Sequence, residues 1–234
     1  MEIKPEFRDK TIRSFVVRAG RMTKAQRSAF EQGWECYGLR LADGMIDLGA
    51  LFGRNNTKVV EIGFGMGGSL LEMAEQQIDT DFVGIEVHPP GVGSLINAAQ
   101  EKQIKNLKVY LADATDVLSE CFSDNSIDRI QLYFPDPWHK KKHNKRRIVQ
   151  PKFLQLMRTK LAPGGVLHMA TDWEPYAEQM LELIQEAEGF KNMANDFVPR
   201  PEFRPLTKFE KRGERLGHGV RIIDDITKNA DGTV

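Results

Sequence analysis

The sequence predicts a doubly wound α/β fold, because short β-rich segments alternate with segments of helical periodicity. The β-rich segments are residues 58–62, 81–87, 107–111, 127–134 and 166–171. The helical segments are residues 69–77, 92–102, 151–160 and 175–188. Glycine-rich turns at 63–68 and 163–165 mark junctions between the two kinds of segment, and this alternation indicates a mostly parallel sheet.

The length and the charge of the N-terminal residues predict the domain organisation. With 234 residues, the chain can bury the core of one domain. Residues 4–27 hold eight Lys or Arg against two acids and few apolar residues. We therefore predict a basic, flexible arm at residues 1–30 and a single domain at 31–234, in which 219–224 form a closing strand.

Composition excludes several classes of protein. No apolar run is long enough to cross a bilayer, so we expect no membrane association. Cys36 and Cys121 lack metal or redox spacing, and no cluster of His, Cys or carboxylates has the spacing of metal ligands. We therefore expect no metal and a reducing cytoplasmic location.

Positive charge is concentrated in one part of a chain whose net charge is zero. Residues 137–171 contain nine Lys or Arg and no acid, whereas 172–188 contain six acids and no Lys or Arg. The run Lys140–Arg147 directly follows Phe134–Trp138, in which two prolines frame an acid beside an aromatic residue. This order favours a reaction centre next to a polyanion, although a solvated loop is the usual explanation of a charge cluster.

The glycine loop indicates a ligand but leaves its identity open. Gly63, Gly65 and Gly68 follow the first predicted strand and satisfy the dinucleotide pattern G-x-G-x-x-G, with Glu86 about 20 residues on. Backbone without Cβ atoms can approach a ligand closely. Taken alone, the loop is compatible with NAD, with S-adenosylmethionine or with a tight turn that binds nothing.

Four acids favour S-adenosylmethionine. Glu61, Glu86, Asp113 and Asp136 lie at the carboxyl ends of four successive predicted strands, where open α/β sheets bind ligands. A negatively charged rim attracts a cationic sulfonium and repels a diphosphate. Each acid could instead cap a helix, and Asp113, which precedes the helix-like residues 114–117, is the clearest such case.

Several motifs together resemble those of the bacterial tRNA (guanine-N7-)-methyltransferases of the TrmB type. They are Val60–Gly65, Gly84–His88, Phe134–Trp138, Ala170–Asp172 and Thr207–Glu210, preceded by the arm Ser14–Arg21. The resemblance covers nearly the whole chain from this arm onward. It implies a Rossmann-like class I S-adenosylmethionine-dependent methyltransferase fold, with a seven-stranded, mostly parallel sheet, one antiparallel strand and helices on both faces.

The resemblance also implies an activity. An enzyme of this family transfers a methyl group from S-adenosyl-L-methionine to N7 of the guanine at position 46 in the variable loop of tRNA, and releases S-adenosyl-L-homocysteine. The implied partner is tRNA. We expect a monomer or a homodimer with no obligate protein partner.

The resemblance assigns roles to particular residues. Asp136 matches the active-site acid. The cofactor residues are Glu61, Gly63, Gly65, Glu86, Asp113, Ala114 and Asp136. The substrate residues are Lys140, Asp172, Thr207, Lys208, Phe209 and Glu210. The RNA-binding residues are Lys142, His143, Asn144, Lys145, Arg146 and Arg147.

Alternatives to these assignments remain open from the residues alone. The motif Pro135–Trp138 could be a turn whose tryptophan covers the core, and Asp172 could simply cap the next helix. Adenine amino-group methyltransferases carry an acid or amide before two prolines and an aromatic, an order that this motif does not have. An NAD-linked oxidoreductase and a non-catalytic RNA-binding module are the other classes to be tested.

Overall fold

The computed structural model describes residues 3–5, 12–16, 20–192, 196–207, 210, 211, 215 and 219–227. The chain forms two compact units. The first, called the N-terminal unit, comprises Met1–Asp9 and Val17–Ser123. The second, called the C-terminal unit, comprises Lys10–Val16 and Asp124–Val234. The division into an arm at 1–30 and one domain at 31–234 stays a prediction.

The N-terminal unit is a parallel α/β layer. Its described strands are β1 Gly38–Leu39, β2 Thr57–Ile62, β3 Thr80–Glu86 and β4 Leu107–Leu111. Its described helices are α1 Lys24–Tyr37, α2 Leu48–Phe52, α3 Gly68–Gln76, α4 Pro89–Glu101 and α5 Ala114–Cys121, with a 3₁₀ turn at Leu41–Asp43. The strand order is β1-β4-β3-β2, and every neighbouring pair is parallel. The carboxyl ends of β2, β3 and β4 therefore lie along one edge.

The C-terminal unit combines parallel and antiparallel pairing. Its described elements are β5 Ile127–Tyr133, a 3₁₀ turn Lys141–Arg146, α6 Pro151–Lys160, β6 Leu161–Thr171, α7 Glu174–Glu186, β7 Lys191–Asn192 and β8 Arg221–Thr227. The order is β5-β6-β8-β7. β5 and β6 are parallel, whereas β8 is antiparallel to both of its neighbours.

Strands form where the apolar side chains run almost without interruption, as in parallel sheets covered on both faces. In β2, Val59, Val60 and Ile62 are buried. β6 begins earlier than predicted, because the turn at residues 163–165 lies inside it as an irregularity: Ile127 pairs with Leu161 and Arg129 with Val166. The extra residues are accommodated there because Gly164 adopts a positive φ of 75°.

Local signals set the helix starts. α4, α6 and α7 each have proline in the first turn, where the missing N–H is not needed. α1 begins after Thr23, whose hydroxyl accepts from the Gln26 N–H while the Gln26 side chain accepts from the Thr23 N–H. Helix α1 thus starts within residues that the sequence assigned to the basic arm. In the described part of the chain, no helix is long and apolar enough to cross a membrane.

Candidate active site

The glycine loop joins β2 to α3 with its backbone facing open space. Gly63 and Gly65 adopt positive φ angles of 72° and 59°. A Cβ atom built on either residue would have no other atom within 4 Å, and the same holds for Gly68. Gly67, also at positive φ, instead packs tightly, since an added Cβ would lie 2.7 Å from the Cβ of Leu95. The loop is therefore anchored at Gly67 and open at Gly63 and Gly65.

Glu86, the last residue of β3, holds this loop through backbone donors. The Gly65 N–H donates to Glu86 Oε2 at 2.8 Å. Glu86 Oε1 accepts from the N–H groups of Val87, at 2.7 Å, and His88, at 3.0 Å. Charge-assisted bonds of this kind fix a carboxylate firmly. Glu86, a predicted cofactor residue, therefore has a set position at the edge of the glycine loop.

The other two predicted acids of the N-terminal unit are also buried at this edge. Glu61 lies in β2 with 3% exposure. Asp113 follows β4 and caps α5, because its carboxylate accepts from the Thr115 N–H at 2.9 Å. Ala114, the first residue of α5, is buried beside it. The helix-cap explanation of Asp113 is therefore correct, and it leaves the cofactor role of Asp113 a prediction.

This arrangement fits S-adenosylmethionine chemically. The cofactor offers an ammonium group, a sulfonium and ribose hydroxyls, all of which favour carboxylate partners. Three buried acids at adjacent strand ends supply those partners, and the open edges of Gly63 and Gly65 leave room that a Cβ would fill. A diphosphate would meet repulsion from Glu61. Within the described residues, no group of three or more His, Cys, Asp or Glu could hold a metal ion.

In the C-terminal unit, Asp136 lies in a strained loop after β5. The flanking aromatic residues Phe134 and Trp138 adopt positive φ angles of 50° and 45°, which aromatic residues rarely do. Asp136 itself is exposed, between Pro135 and Pro137. The loop starts at a fixed point, because the Phe134 N–H donates to the Ala170 carbonyl at 2.8 Å. Such strain persists only where surrounding contacts hold it, and it is common at functional sites.

Trp138 is held by Lys140–Arg147, called the basic segment, and by residues 12–16. Its indole N–H donates to the Ser14 carbonyl at 2.9 Å. The Arg146 guanidinium lies 3.9 Å from the centroid of the Trp138 ring, and it donates to the carbonyls of Arg13, at 3.0 Å, and Phe15, at 3.3 Å. Trp138 is therefore packed locally against these groups. The alternative was that Trp138 covers the core. Because Trp138 is half-buried, it can cover the core only in part.

Arg147 differs from the rest of the basic segment in its burial. Lys140, Lys141, Lys142 and Lys145 are exposed; His143, Asn144 and Arg146 are half-buried; Arg147 is 4% exposed. Its Nε donates to the Pro137 carbonyl at 2.8 Å, and its Nη1 donates to Gln179 Oε1. The guanidinium lies 4.6 Å from the centroid of the buried Tyr176 ring. These three partners all belong to the C-terminal unit.

Tyr176 stays neutral in this cluster. Burial raises the pKa of its phenol well above the usual range, and Arg147 opposes that shift only in part. The phenol oxygen accepts from the Val149 N–H at 3.2 Å. Burial also lowers the pKa of Arg147, but a guanidinium remains protonated at physiological pH. The pair is therefore a cation over a neutral aromatic face.

Asp172 lies directly after β6, and β6 is the parallel neighbour of β5. Trp173, not Asp172, occupies the cap position of α7, and no side chain makes a cap bond there. The helix-cap explanation of Asp172 is therefore wrong. The rings of His139 and Trp173 pack edge to face, with their centroids 4.3 Å apart. The loops after β5 and β6 are therefore in contact. Asp136 and Asp172 thus follow adjacent strands.

Glu210 belongs to a buried ion pair, and Thr207 bonds its backbone. The Thr207 hydroxyl accepts from the Glu210 N–H at 3.1 Å. Glu210 receives two hydrogen bonds from Arg204, at 2.8 and 2.9 Å, and Arg204 is fully buried. Their predicted contact with substrate stays a prediction. Lys208 and Phe209 lie outside the described residues.

Sequence reasoning missed three members of this site. Tyr176 and Gln179 lie one helical turn apart on α7, so they share a face, and Tyr176 precedes Ala177 in an apolar pattern that reads as ordinary core. Arg204 is flanked by Phe203 and Pro205, with no signal of burial. For Arg147, which was predicted as an RNA-binding residue, the sequence held one hint of burial: the apolar pair Ile148-Val149 follows it directly.

Comparisons with known proteins identify the family of this chain. A family model described as "Putative methyltransferase" matches residues 55–222. A tRNA (guanine-N(7)-)-methyltransferase of Saccharophagus degradans is 60% identical over 220 residues, which is 93% of this chain and 96% of that protein. A protein of the same name from Pseudomonas aeruginosa is 58% identical over 90% of this chain and 87% of its own length.

Solved structures agree at the level of the fold. The 16S rRNA methyltransferase KamB superposes with a TM-score of 0.53 at 16% identity, over 91% of this chain and 98% of its own. An antibiotic-related methyltransferase gives 0.51 at 15% identity, over 78% and 96%. The predicted class I methyltransferase fold is confirmed. The identity to curated relatives over nearly their full length decides the family: this chain belongs to the bacterial tRNA (guanine-N7-)-methyltransferases of the TrmB type.

Proposed function

We propose that this protein methylates N7 of the guanine at position 46 in the variable loop of tRNA, with S-adenosyl-L-methionine as the methyl donor and S-adenosyl-L-homocysteine as a product. The observation that carries the proposal is the 60% identity to a protein named as a tRNA (guanine-N(7)-)-methyltransferase, over 93% of this chain. Because its substrate would be tRNA, we place the enzyme in the cytoplasm.

The reaction needs alignment more than acid–base chemistry. N7 of guanine is a hydrogen-bond acceptor with a free lone pair, so no proton has to be removed before attack. S-adenosylmethionine supplies a methyl group on a positively charged sulfur. Alignment of donor and acceptor can contribute about 7–11 kcal/mol to lowering the barrier. The chain must therefore hold two ligands rigidly, and a strong general base is unnecessary.

The N-terminal unit carries the proposed cofactor site. We assign Glu61 to the amino-acid end, Glu86 to the ribose and Asp113 with Ala114 to the adenine. The support is that all three acids are buried at adjacent strand ends and that Glu86 is fixed by three backbone N–H groups. Fixed carboxylates require no reorganisation when a cationic ligand arrives.

We assign the active-site role to Asp136. Positive charge passes to the purine as the methyl group moves, and a fixed carboxylate stabilises such a shift. Its loop has the features that this role requires, because Asp136 is exposed while the ends of the loop are pinned at Phe134 and Trp138. We assign Asp172 and Lys140, in neighbouring loops of the same unit, to the guanine and its nucleotide, with Thr207, Lys208, Phe209 and Glu210 as further substrate residues. Among these, we expect Glu210 to act through its ion pair with Arg204 and not by direct contact, because both of its carboxylate oxygens are bonded there.

The basic segment carries the proposed RNA contact. Lys142 and Lys145 are exposed, and His143, Asn144 and Arg146 retain partial exposure. Lysines in such a segment position a nucleic acid through its phosphates without reading its sequence. We therefore assign the position of the tRNA backbone to this segment and expect the smallest direct contribution from the buried Arg147.

The test is methyl transfer from labelled S-adenosylmethionine to an unmodified tRNA transcript, followed by nucleoside analysis. We expect labelled 7-methylguanosine from the natural transcript and no label from a transcript with adenine at position 46. Label in another nucleoside would keep the fold and overturn the specificity. Thermal protection by NAD in place of S-adenosylmethionine would favour an oxidoreductase.

A matched variant separates the enzyme from a non-catalytic RNA-binding module. Asp136→Asn keeps the size and removes the charge, so we expect methyl transfer to fall roughly 100-fold or more while tRNA binding is retained. Full activity in this variant would remove Asp136 from the active site. Absence of transfer in the wild-type protein, despite binding of both ligands, would support the module.

A further inference from the structure

Arg147 lies in the basic segment but faces the protein. The exposed lysines at 140, 141, 142 and 145 precede it in the sequence, yet Arg147 itself is 4% exposed. A guanidinium that contacts a phosphate needs free N–H donors at the surface. Two of the Arg147 donors instead bond protein groups: Nε–H donates to the Pro137 carbonyl, at 2.8 Å, and Nη1 donates to Gln179 Oε1.

The Pro137 carbonyl is a sensitive point in the active-site loop. It belongs to the peptide plane that joins Pro137 to Trp138, and the orientation of that plane is set by ψ of Pro137 and φ of Trp138. The φ of Trp138 is 45°, in the left-handed region that aromatic residues disfavour. A hydrogen bond to this carbonyl therefore acts directly on the strained bond, one residue from Asp136.

Arg147 is itself rigidly held. Its ring partner Tyr176 is fully buried on α7, and Tyr176 is bonded to the Val149 N–H. Gln179, one turn along α7, accepts from the other arm of the guanidinium. The Arg147 N–H donates to the Asn144 carbonyl at 3.0 Å and ends the 3₁₀ turn. The guanidinium thus connects helix α7 to the loop of Asp136.

We propose that Arg147 is a positioning residue for Asp136: its guanidinium, braced by Tyr176 and Gln179, holds the Pro137 carbonyl and keeps the loop in its strained form. Arg147 then acts on the rate of methyl transfer and not on tRNA affinity. This inference rests on the proposed function, because it takes Asp136 as the active-site acid.

Lysine cannot replace arginine in this role. A guanidinium is a planar fork whose arms reach two acceptors and whose face lies on an aromatic ring, whereas an ammonium is a compact point charge. At a phosphate contact, lysine would retain most of the affinity. Arg147→Lys therefore distinguishes the two roles, and both variants, Arg147→Lys and Arg147→Met, lower kcat if the role is positioning.

The experiment measures kcat at saturating tRNA together with the tRNA Kd and its salt dependence. For both Arg147 variants we expect kcat to fall roughly 10- to 100-fold, because small misplacements of catalytic groups have effects of that size. We expect the tRNA Kd and its salt slope to be unchanged. The matched control is Lys145→Met, which should weaken tRNA binding and flatten the salt slope. Unchanged kcat with weaker, less salt-dependent binding in Arg147→Met would overturn the proposal.

Gln179 gives an independent test that leaves the charge of Arg147 in place. Gln179→Glu keeps an acceptor for the guanidinium, so kcat should be retained, whereas Gln179→Leu removes the acceptor and should lower kcat. If Arg147→Met fails to fold, this pair decides the question. Equal kcat for the two Gln179 variants would contradict the positioning role.

Hydrogen exchange separates a failure of this inference from a failure of the proposed function. If the wild-type protein transfers no methyl group to tRNA, the proposed function fails on its own. Amide exchange in residues 134–140 should still be faster in Arg147→Lys than in the wild-type protein, because the loop has lost its restraint. Unchanged exchange in that segment would overturn the positioning role, whatever the activity.

Discussion

Gly65 has a left-handed backbone and also borders the proposed cofactor site, and comparison with a second left-handed glycine separates the effects of these two properties. Its φ of 59° makes any Cβ strained, and the Cβ would project into open space beside Glu86. Gly53, the left-handed residue that ends α2, has a φ of 66° and also has no atom within 4 Å of an added Cβ. The two glycines thus share their conformational demand, and only Gly65 borders the proposed cofactor site.

We predict that Gly65→Ala lowers the affinity for S-adenosylmethionine by roughly tenfold or more, because the methyl group occupies space that the cofactor needs. Both Gly65→Ala and Gly53→Ala should lower the free energy of unfolding by about 1–2 kcal/mol through left-handed strain. Calorimetric titration and chemical denaturation measure the two effects. Equal cofactor affinity in the two variants would place the cofactor elsewhere.

The buried ion pair of Arg204 and Glu210 leads to a prediction about the stability of the protein. Removal of one partner leaves the other charge buried, so Glu210→Met should cost about 3–5 kcal/mol of stability. The double variant Arg204→Met with Glu210→Met buries no charge and should recover most of that loss. Denaturant titration measures both.

Turnover of tRNA decides whether Glu210 also contacts substrate. Because the Glu210 carboxylate is 3% exposed and its two oxygens bond Arg204, we expect turnover to recover together with stability in the double variant. A double variant that regains stability but stays inactive would give Glu210 a direct role in binding tRNA.

At the scale of elements, the sequence predicted the strands and helices that border the site because their apolar patterns are local. The predicted strand at 107–111 and the predicted helix at 151–160 have the observed bounds of β4 and α6. Helix α1 was not predicted, since its first residues are polar and charged. Its capping box at Thr23 and Gln26 was the available signal. The two-residue strands β1 and β7 are set by pairing with distant strands, which no local pattern records.

The residues of the candidate site were likewise predictable where the signal is local and not where it depends on distant contacts. Glu61, Glu86 and Asp136 were identified because acids at strand ends share one edge of a parallel sheet. The separation of Arg147 from its basic neighbours was not, because its partners Tyr176 and Gln179 lie about 30 residues further along the chain. Contacts over such distances depend on packing. The apolar pair Ile148-Val149, which follows Arg147, hints at its burial but does not indicate its partners.

The basic segment supports an electrostatic prediction of its own. We expect Lys142→Glu with Lys145→Glu to weaken tRNA binding and to lower the slope of log affinity against log salt by roughly 1 to 2, since each phosphate contact contributes about 0.7 to 0.9. Affinity for S-adenosylmethionine should not change. The control is Lys152→Glu with Lys191→Glu, which makes the same change of charge at exposed sites outside the segment. Equal salt slopes in the two double variants would remove the segment from the RNA contact.

At the scale of the whole molecule, the net charge is zero although positive and negative residues are concentrated in different parts of the sequence. The chain carries 33 basic and 33 acidic residues, yet residues 137–171 hold nine Lys or Arg and no acid. A protein with this distribution can attract a polyanion to one segment while its net charge remains zero. The three buried acids of the N-terminal unit, meanwhile, favour a cationic ligand. Opposite charges thus suit the two proposed ligands, tRNA and S-adenosylmethionine.

The most direct test of the account replaces a single atom of the substrate. A tRNA carrying 7-deazaguanosine at position 46 has a C–H group in place of N7 and keeps the pairing face of guanine. We predict that this tRNA binds as well as the natural transcript and accepts no methyl group, whereas the natural transcript accepts one. Methyl transfer to the 7-deaza substrate at the natural rate would contradict methylation at N7 of guanine 46.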